Sequence, residues 1–361
     1  MTNKAIVCRN LWKIFGGAPS SAPPDSTEVA TVREELRRKG ATVAVANVTL
    51  EIDEGEVFVL MGLSGSGKST LLRTLSRLVE PTWGELYLEN TDLLKMSKKD
   101  LRTLRRDRVG MVFQNFALLP NRTVLGNIEL PLEIRGESKE SRRARSLEMV
   151  NLVGLSGREN FYPHELSGGQ QQRVGIGRSL VSNPDIWFLD EPFSALDPLI
   201  RREMQDELLR LQRTLKKTIV FVTHDFDEAV KISSRIALLK GGELVQCGTP
   251  AELLFSPADA YVREFVSDVD WSRVIKVKDI ASRTTNFSPT AQPISENLAI
   301  RNLANLVNDS SGPWPVVSEQ GQVVGGLSSK ALLDALLAAS TRTFTRALDV
   351  SDSTYPTRKM P

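Results

Sequence analysis

Residues 57–72 constrain the fold of this chain more than any other stretch, because they place three elements in direct succession. The apolar run VFVLM at 57–61 predicts a buried strand. It is followed by GLSGSGKS at 62–69, which has the pattern G-x-x-x-x-G-K-S. The apolar periodicity of residues 70–78 then predicts a helix. A strand, a glycine-rich turn and a helix in this order are typical of a loop that binds nucleotide phosphates.

The chemistry expected of this loop follows from its residue types. Glycines let the backbone turn tightly and point N–H groups at an anion, and the following helix adds the positive end of its dipole. Lys68 can reach the β- and γ-phosphates, and the Ser69 hydroxyl can bind Mg²⁺. The residues expected to contact the nucleotide are Gly62, Leu63, Ser64, Gly65, Ser66, Gly67, Lys68, Ser69 and Thr70.

The composition excludes several classes of protein. The chain has 361 residues, enough for two domains, and its net charge of +2 gives no general attraction to nucleic acid or lipid. Cys8 and Cys247 are its two cysteines, and they do not form the framework of a disulfide-rich protein. No window approaches 18 apolar residues, so any membrane role is expected to run through a partner.

Three further apolar runs are predicted to end in polar side chains. Gln114 closes one run, Asp190 and Glu191 close a second, and His224 closes a third. The alternation of such runs with helices indicates a largely parallel sheet. Open sheets bind ligands at the carboxyl ends of their strands. We therefore expect these side chains to meet the glycine-rich loop at one edge of the sheet.

Each of these polar residues has a predicted role in phosphoryl transfer. Asp190 is expected to hold Mg²⁺ together with Ser69, directly or through water, and Glu191 to polarise the attacking water as a general base. The amide of Gln114 is suited to hold a water of the metal and to report occupancy. The catalytic candidates are Glu191, His224, Gln114 and Lys68, and the metal candidates are Ser69, Gln114 and Asp190.

The segment LSGGQ at 166–170 is a second candidate for anion binding. Its serine and two glycines open a predicted helix that ends near residue 182. One chain therefore carries two phosphate-binding segments that are far apart in sequence. We interpret the second segment as serving the nucleotide of a neighbouring copy of the chain.

The basic segment KKDLRTLRRDR at 98–108 leaves two interpretations open. It contains six basic and two acidic residues, which is typical of a solvated helix face. Contact with nucleic acid is the weaker alternative, because no aromatic residues interleave with the charges.

The C-terminal part of the chain is predicted to be separate. The first domain is expected to span residues 1–270, with a polar linker at 271–296 and a small α+β unit at 297–340. That unit is expected to contain a helix, two strands joined by a turn, and a second helix. Residues 341–361 are expected to be a disordered tail.

The motifs GLSGSGKST, VFQ, LSGGQQQR, IWFLDE, SALD and THD, in this order, resemble those of the nucleotide-binding subunit of ABC transporters. The resemblance covers about residues 4–250. It implies an α/β fold of the P-loop NTPase (ABC ATPase) class, with a helical subdomain inserted at about 115–180. It also implies that the cofactors are ATP and Mg²⁺.

The resemblance further implies a head-to-tail dimer with two ATP molecules between its subunits. Asp197 is then expected at the dimer contact, and Gln114 is expected to couple the site to a membrane subunit through the helical subdomain. Phe15 best matches the aromatic residue that stacks on adenine. The residues expected to close the ATP site of the other copy are Ser167, Gly168, Gly169 and Gln170.

Two features resemble a narrower group, the importers of glycine betaine, choline, proline betaine and related quaternary amines. One is the insertion between Phe15 and Val43, and the other is the stretch MGLSGSGKSTLLRTLSRLVEPTWG. The C-terminal sequence PVVSEQGQVVGGLSSKALLDAL resembles one CBS repeat. Such repeats usually occur in pairs, and this sequence contains one.

The expected function is that of an ATPase subunit that drives uptake of such an osmoprotective solute. Its expected partners are a second copy of itself, transmembrane permease subunits and, indirectly, a substrate-binding protein, with no nucleic acid. The expected location is the cytoplasmic face of the plasma membrane, as a peripheral subunit. The alternatives are an importer ATPase for another small solute, an ABC ATPase without a transport role, and a regulatory module whose CBS-like unit does the work. A GTPase is disfavoured because no N-K-x-D motif is present.

Overall fold

The computed structural model describes residues 3–16, 29–114, 116–267, 269–282, 287, 291–307, 312–318 and 320–341. The chain divides into two compact units, residues 1–250 and 251–361. The sequence analysis placed the end of the first domain at residue 270, and the division in the structure lies twenty residues earlier.

The first unit contains two sheets, eight α-helices and a short 3₁₀ helix (Pro163–Glu165) among its described residues. Its strands are β1 (Lys4–Phe15), β2 (Thr42–Asp53), β3 (Val57–Met61), β4 (Trp83–Leu88), β5 (Thr91–Asp92), β6 (Val109–Val112), β7 (Ile186–Asp190), β8 (Thr218–Val222), β9 (Arg235–Lys240) and β10 (Glu243–Gly248). Its helices are α1 (Val29–Arg38), α2 (Lys68–Leu75), α3 (Lys98–Arg108), α4 (Val124–Arg135), α5 (Lys139–Leu152), α6 (Gly168–Leu180), α7 (Pro198–Leu215) and α8 (Phe226–Ile232).

The larger sheet has six strands in the order β10-β9-β3-β8-β7-β6. All neighbours are parallel except the β9–β10 hairpin. Every residue of β3, β7 and β8 is buried, as expected for short continuous apolar runs covered on both faces. The predicted parallel sheet is therefore confirmed.

The second sheet is antiparallel and has the order β2-β1-β4-β5. Helix α2 lies between the two sheets, because its Leu71, Leu72 and Leu75 belong to one core cluster with residues of both. Ile6 and Phe58 represent the two sheets in that cluster. The core thus fixes the helix that follows the glycine-rich loop. This helix begins at Lys68 and ends at Leu75, whereas the periodicity predicted 70–78.

Helices α4, α5 and α6 lie between β6 and β7 in the chain and pack on one another. Each begins at a hydroxyl cap, at Thr123, Ser138 and Ser167 respectively. The predicted helical insertion is confirmed. The basic segment 98–108 forms α3, with Leu101 as its one buried residue, which agrees with a largely solvated helix.

The second unit contains a three-stranded sheet in the order β11-β12-β13. Its strands are β11 (Ile294–Ser295), β12 (Trp314–Val317) and β13 (Val323–Leu327). Its helices are α9 (Pro250–Phe255), α10 (Ala260–Phe265), α11 (Trp271–Val274), α12 (Val277–Ile280), a 3₁₀ helix (Ile300–Leu306) and α13 (Ser329–Thr341). The predicted strands and second helix of this unit are confirmed, whereas the first helix is a 3₁₀ helix.

The prediction of a linker at 271–296 is wrong for the part of this stretch that the structure describes. This stretch contains α11, α12 and β11, and its Ile275, Val277 and Ile294 belong to the core of the second unit. Its elements are two to four residues long, too short to give a detectable hydrophobic period. The tail expected at 341–361 lies outside the described residues from 342 onward. Within the described part of the chain, no helix is long and apolar enough to span a membrane.

Candidate nucleotide site

The glycine-rich loop follows β3 and ends at the first turn of α2. Gly62 has a φ of 145°, and a Cβ atom there would lie 2.3 Å from the carbonyl oxygen of Leu239. Gly67 caps α2 with a φ of 97°, and its Cβ would lie 2.3 Å from the carbonyl oxygen of Ala44. Both positions therefore require glycine, because the backbone of another strand lies where a side chain would begin.

The turn between β9 and β10 supports this loop. The Gly242 N–H donates to the Ser66 carbonyl at 2.8 Å, and the Gly242 carbonyl accepts from the Ala46 N–H at 2.8 Å. The sequence analysis did not predict this contact with the loop. The two adjacent glycines of the turn, Gly241 and Gly242, were the available signal for a close backbone approach.

Lys68 is folded back over the loop. Its Nζ donates to the carbonyl oxygens of Gly62 at 2.9 Å and Leu63 at 3.0 Å. Burial lowers the pKa of Lys68, and the nearby carboxylates of Glu191 and Asp190 partly oppose that shift. The ammonium group therefore lies among backbone carbonyls and carboxylates, where a nucleotide phosphate would supply the negative charge it lacks.

Asp190 ends β7 and is 1% exposed. The Ser69 hydroxyl donates to its Oδ1 at 2.6 Å. The Arg73 guanidinium donates to its Oδ2 from Nη2 at 2.9 Å and from Nε at 3.2 Å. Arg73 was not predicted from the sequence; its signal was its position one turn after Ser69 on the same helix face. Ser69 and Asp190, which were predicted to hold Mg²⁺ together, lie within hydrogen-bond distance of each other, and their role as metal ligands stays a prediction.

Glu191 lies at the centre of a second polar group. Gln114 donates from Nε2 to Glu191 Oε2 at 3.3 Å, and His224 Nδ1 lies 3.5 Å from the same oxygen. Glu191 has a φ of 45°, so the chain turns at the end of β7 and no longer alternates as a strand does. This turn brings the Glu191 side chain to the same edge of the sheet as Asp190.

The strand order explains why these residues meet. Strands β3, β8, β7 and β6 are consecutive parallel neighbours. Their carboxyl ends therefore share one edge, which carries the glycine-rich loop, His224, Asp190 with Glu191, and Gln114. The sequence analysis predicted this meeting of side chains.

The segment at 166–170 is not joined to the loop. Ser167 caps α6 by accepting from the Gln170 N–H at 3.4 Å, and Gln170 Oε1 accepts from the Ser167 N–H at 3.0 Å. A Cβ at Gly169 would lie 2.5 Å from Cγ2 of Ile200 on α7. Among the described residues, no hydrogen bond or ion pair connects Ser167, Gly168, Gly169 or Gln170 with residues 62–70. The predicted second anion segment thus makes no hydrogen bond or ion pair with the loop of its own chain among the described residues.

Asp197 and Phe15 are also separate from the hydrogen-bonded groups. Asp197 caps α7, since its Oδ1 accepts from the N–H groups of Leu199 at 3.1 Å and Ile200 at 3.0 Å. Phe15 ends β1, is 45% exposed, and has Lys13 Nζ 4.8 Å from its ring centroid. The contact of Phe15 with adenine stays a prediction.

The residues at this edge fit a nucleotide with Mg²⁺. The Ser66 hydroxyl oxygen is buried and has no hydrogen-bond partner, and Lys68 has no acidic side chain within ion-pair distance among the described residues. Both are suited to phosphate oxygens. Serine and carboxylate oxygens, with phosphate and water, form the oxygen-rich set that Mg²⁺ prefers, and Ser69 and Asp190 supply it here.

Comparison with known proteins gives a consistent result. The ABC transporter family profile matches residues 45–194. Over 94% of its length the chain is 50% identical to the trimethylamine N-oxide transport system ATP-binding protein TmoW of Ruegeria pomeroyi, and the match covers 99% of that protein. It is 46% identical over 91% of its length to the glycine betaine/proline betaine transport system ATP-binding protein ProV of Escherichia coli, covering 82% of it.

Comparison with solved structures also finds ATP-binding cassettes. The dimeric ATP-binding cassette MJ0796 in a post-hydrolysis state with ADP and Pi matches 68% of this chain and 98% of its own, with a TM-score of 0.57 and 36% identity. The similarity extends to fold and sequence together.

Proposed function

The chain belongs to the family of ABC transporter ATP-binding subunits, and on that premise we propose that it powers import of a small quaternary amine, with four substituents on a positively charged nitrogen. Glycine betaine, proline betaine, choline and trimethylamine N-oxide, which are named for its relatives, all have such a nitrogen. ATP binding follows from the family, and we propose Mg²⁺ as the accompanying ion.

The relatives favour one solute within this class. The match to the trimethylamine N-oxide protein extends over 99% of that relative, whereas the match to ProV covers 82% of a longer chain. The first match is 50% identical over 94% of this chain, and the second is 46% identical over 91%. We propose trimethylamine N-oxide as the principal cargo, with glycine betaine, proline betaine and choline as the alternatives.

The polar group of Gln114, Glu191 and His224 carries the catalytic part of the proposal. The Glu191 carboxylate accepts the proton of the attacking water, and Gln114 and His224 both lie against its Oε2 oxygen. Lys68 binds and orients the β- and γ-phosphates, and Ser69 and Asp190 hold the metal ion.

We propose that two copies form the complete site, head to tail. The separation of Ser167, Gly168, Gly169 and Gln170 from the loop of their own chain supports this arrangement. In the pair these residues would contact the nucleotide held by the other copy, with Asp197 at the contact. The dimeric relative with bound ADP and Pi is a precedent.

The remaining assignments are also proposals. The first unit serves as the ATPase domain, and the second unit contains one CBS-like repeat within residues 297–340. Permease subunits and a substrate-binding protein are the proposed partners, and the proposed location is the cytoplasmic face of the membrane. An ABC ATPase for another solute, or one without a transport role, is the competing interpretation.

Uptake by cells tests the cargo. Cells with and without this chain are given labelled trimethylamine N-oxide, glycine betaine or choline in separate experiments. We expect loss of the chain to abolish uptake of the first solute, and Glu191→Gln to have the same effect. Unchanged uptake of all three would refute the solute class, while ATP hydrolysis by the purified chain would still support the ATPase assignment.

A further inference from the structure

Helices α7 and α8 are joined by three side-chain pairs. Gln205 Nε2 donates to Glu228 Oε1 at 3.0 Å, Lys231 Nζ lies 2.7 Å from Asp206 Oδ1, and Arg201 Nη1 lies 3.8 Å from an Asp225 oxygen. Only the first of these pairs is buried, with both partners 6% exposed. A buried polar pair is costly to break, because each group left behind loses its partner away from water.

The buried pair reaches the segment that carries His224. Glu228 and Thr223 line the same small cavity as His224 and Glu191, and the Thr223 hydroxyl oxygen accepts from the Asp225 N–H at 3.0 Å. The Glu228 N–H in turn donates to Asp225 Oδ1 at 3.1 Å. The residues on both sides of His224 are therefore hydrogen-bonded to each other, and Asp225 is also bonded to Glu228.

The other end of the connection lies beside Asp197. Arg201, one turn before Gln205 on α7, donates from Nη2 to the Leu196 carbonyl at 3.2 Å. Leu196 directly precedes the residue that caps α7. Helix α7 therefore connects the proposed dimer contact with the end of β8 through the half-buried pair of Arg201 and Asp225 and the buried pair of Gln205 and Glu228.

The buried surroundings of the Glu228 carboxyl agree with a structural role between α7 and α8. Burial raises its pKa, and Asp225 acts in the same direction, whereas Thr223, Gln205 and Arg201 act against it. His224 itself is 60% exposed, so its own packing does little to restrain it. Beside its contact with Glu191, His224 is restrained by the hydrogen bonds of its neighbours.

We propose that Gln205 and Glu228 are positioning residues that hold His224 against Glu191, and that they do so from the helix that begins at Asp197. The inference rests on the proposed ATPase function. Neither residue touches the nucleotide. Their loss displaces His224, and with it one of the two groups that orient the Glu191 carboxylate.

The test uses the full-length chain and separates ATP binding from turnover. We expect Glu228→Ala and Gln205→Met each to lower kcat by about tenfold or more, since small displacements of catalytic groups have effects of that size. The KM for ATP should stay within about twofold, because the loop and Lys68 are untouched. Glu228→Gln keeps the volume and an acceptor for Gln205 and should retain most of the activity.

Two further variants make the result decisive. The double variant Gln205→Met/Glu228→Ala should be no slower than the slower single one, because both changes break the same hydrogen bond. Lys231→Met removes the exposed pair between the same helices and should leave kcat unchanged. If Glu228→Ala does not fold, Gln205→Met tests the same hydrogen bond by removing its donor.

The outcomes distinguish this inference from the proposed function. If the wild-type chain hydrolyses ATP and kcat is unchanged in Gln205→Met and Glu228→Ala, the inference is overturned and the ATPase assignment stands. Equal losses in the Glu228→Ala and Glu228→Gln variants, or a rise in KM that matches the fall in kcat, also overturn it. A wild-type chain without ATPase activity overturns the proposed function and this inference together.

Discussion

Gln114 donates a hydrogen bond from Nε2 to Glu191 Oε2 at 3.3 Å, joining the ends of the neighbouring strands β6 and β7. Gln114 also stands at the start of the helical insertion, which follows β6 in the chain. A shift of the insertion relative to the sheet would therefore move a direct hydrogen-bond donor of the Glu191 carboxylate. This relationship makes Glu191 the first residue to test.

Glu191→Gln should lower the kcat of ATP hydrolysis by about two orders of magnitude or more, which is the usual contribution of a general base. ATP binding should persist, because Lys68, Ser69 and the loop are unchanged. Steady-state hydrolysis and equilibrium binding of ATP measure the two effects. Glu203→Gln, an exposed carboxylate on α7, is the matched control. Hydrolysis at the wild-type rate by Glu191→Gln would remove the role proposed for this residue.

Gly67→Ala should destabilise the nucleotide-free chain more than Gly65→Ala. Both glycines have positive φ, so each substitution costs about 1–2 kcal/mol of backbone strain. Only at Gly67 does the new Cβ meet the Ala44 carbonyl, which adds about 1–3 kcal/mol. Denaturant unfolding of both variants measures the difference, and equal losses would contradict the close approach seen in the structure.

Arg73→Met should lower the free energy of unfolding by about 1–3 kcal/mol, because the buried Asp190 carboxylate keeps only Ser69 as a side-chain partner. The lower part of this range is expected, since the Arg73 side chain is 45% exposed and its ion pair is partly screened by solvent. Arg73→Lys, which retains the charge, should lose less. Thermal unfolding with calorimetry provides the comparison, and unchanged stability in Arg73→Met would show that Asp190 does not depend on this pair.

Glu228→Gln should change the pH dependence of stability. Because burial raises the pKa of Glu228 above its usual 4.5, the folded state binds more protons than the unfolded state between the two values. Its contribution to the free energy of unfolding is therefore fully present below pH 4.5 and falls as the pH rises towards the folded-state pKa. The wild type should lose stability relative to Glu228→Gln across that window. If the free energy of unfolding has the same pH dependence in the two proteins, the raised pKa of Glu228 is contradicted.

Most of the sheet edge could be predicted from the sequence, for a physical reason. Strands β3, β7 and β8 are buried on both faces, so their apolar runs are continuous and their polar endings stand out. Asp190, Glu191 and His224 were found from that contrast. Because these strands are neighbours in a parallel sheet, their polar endings meet at one edge, and no other information was needed to predict this.

The remaining features depend on contacts that leave no local pattern. Arg73 looks like an ordinary charge on a helix face until α2 is packed against β7. Gly242 marks a turn, and its contact with Ser66 appears only when β9 lies beside β3. The short elements at 271–296 bury apolar side chains without enough length to show a period. Gln205 lies in α7 and Glu228 in α8, and neither residue belongs to a sequence motif that would have marked it.

The separation of Ser167 from Lys68 within one chain has a genetic consequence. In the proposed head-to-tail pair, a copy carrying Glu191→Gln and a copy carrying Ser167→Arg are each inactive with their own kind. Mixed pairs place both lesions in one site and leave the other site with an intact Glu191 and an intact Ser167. Two defective alleles expressed together should therefore complement each other, restoring activity that neither allele provides alone.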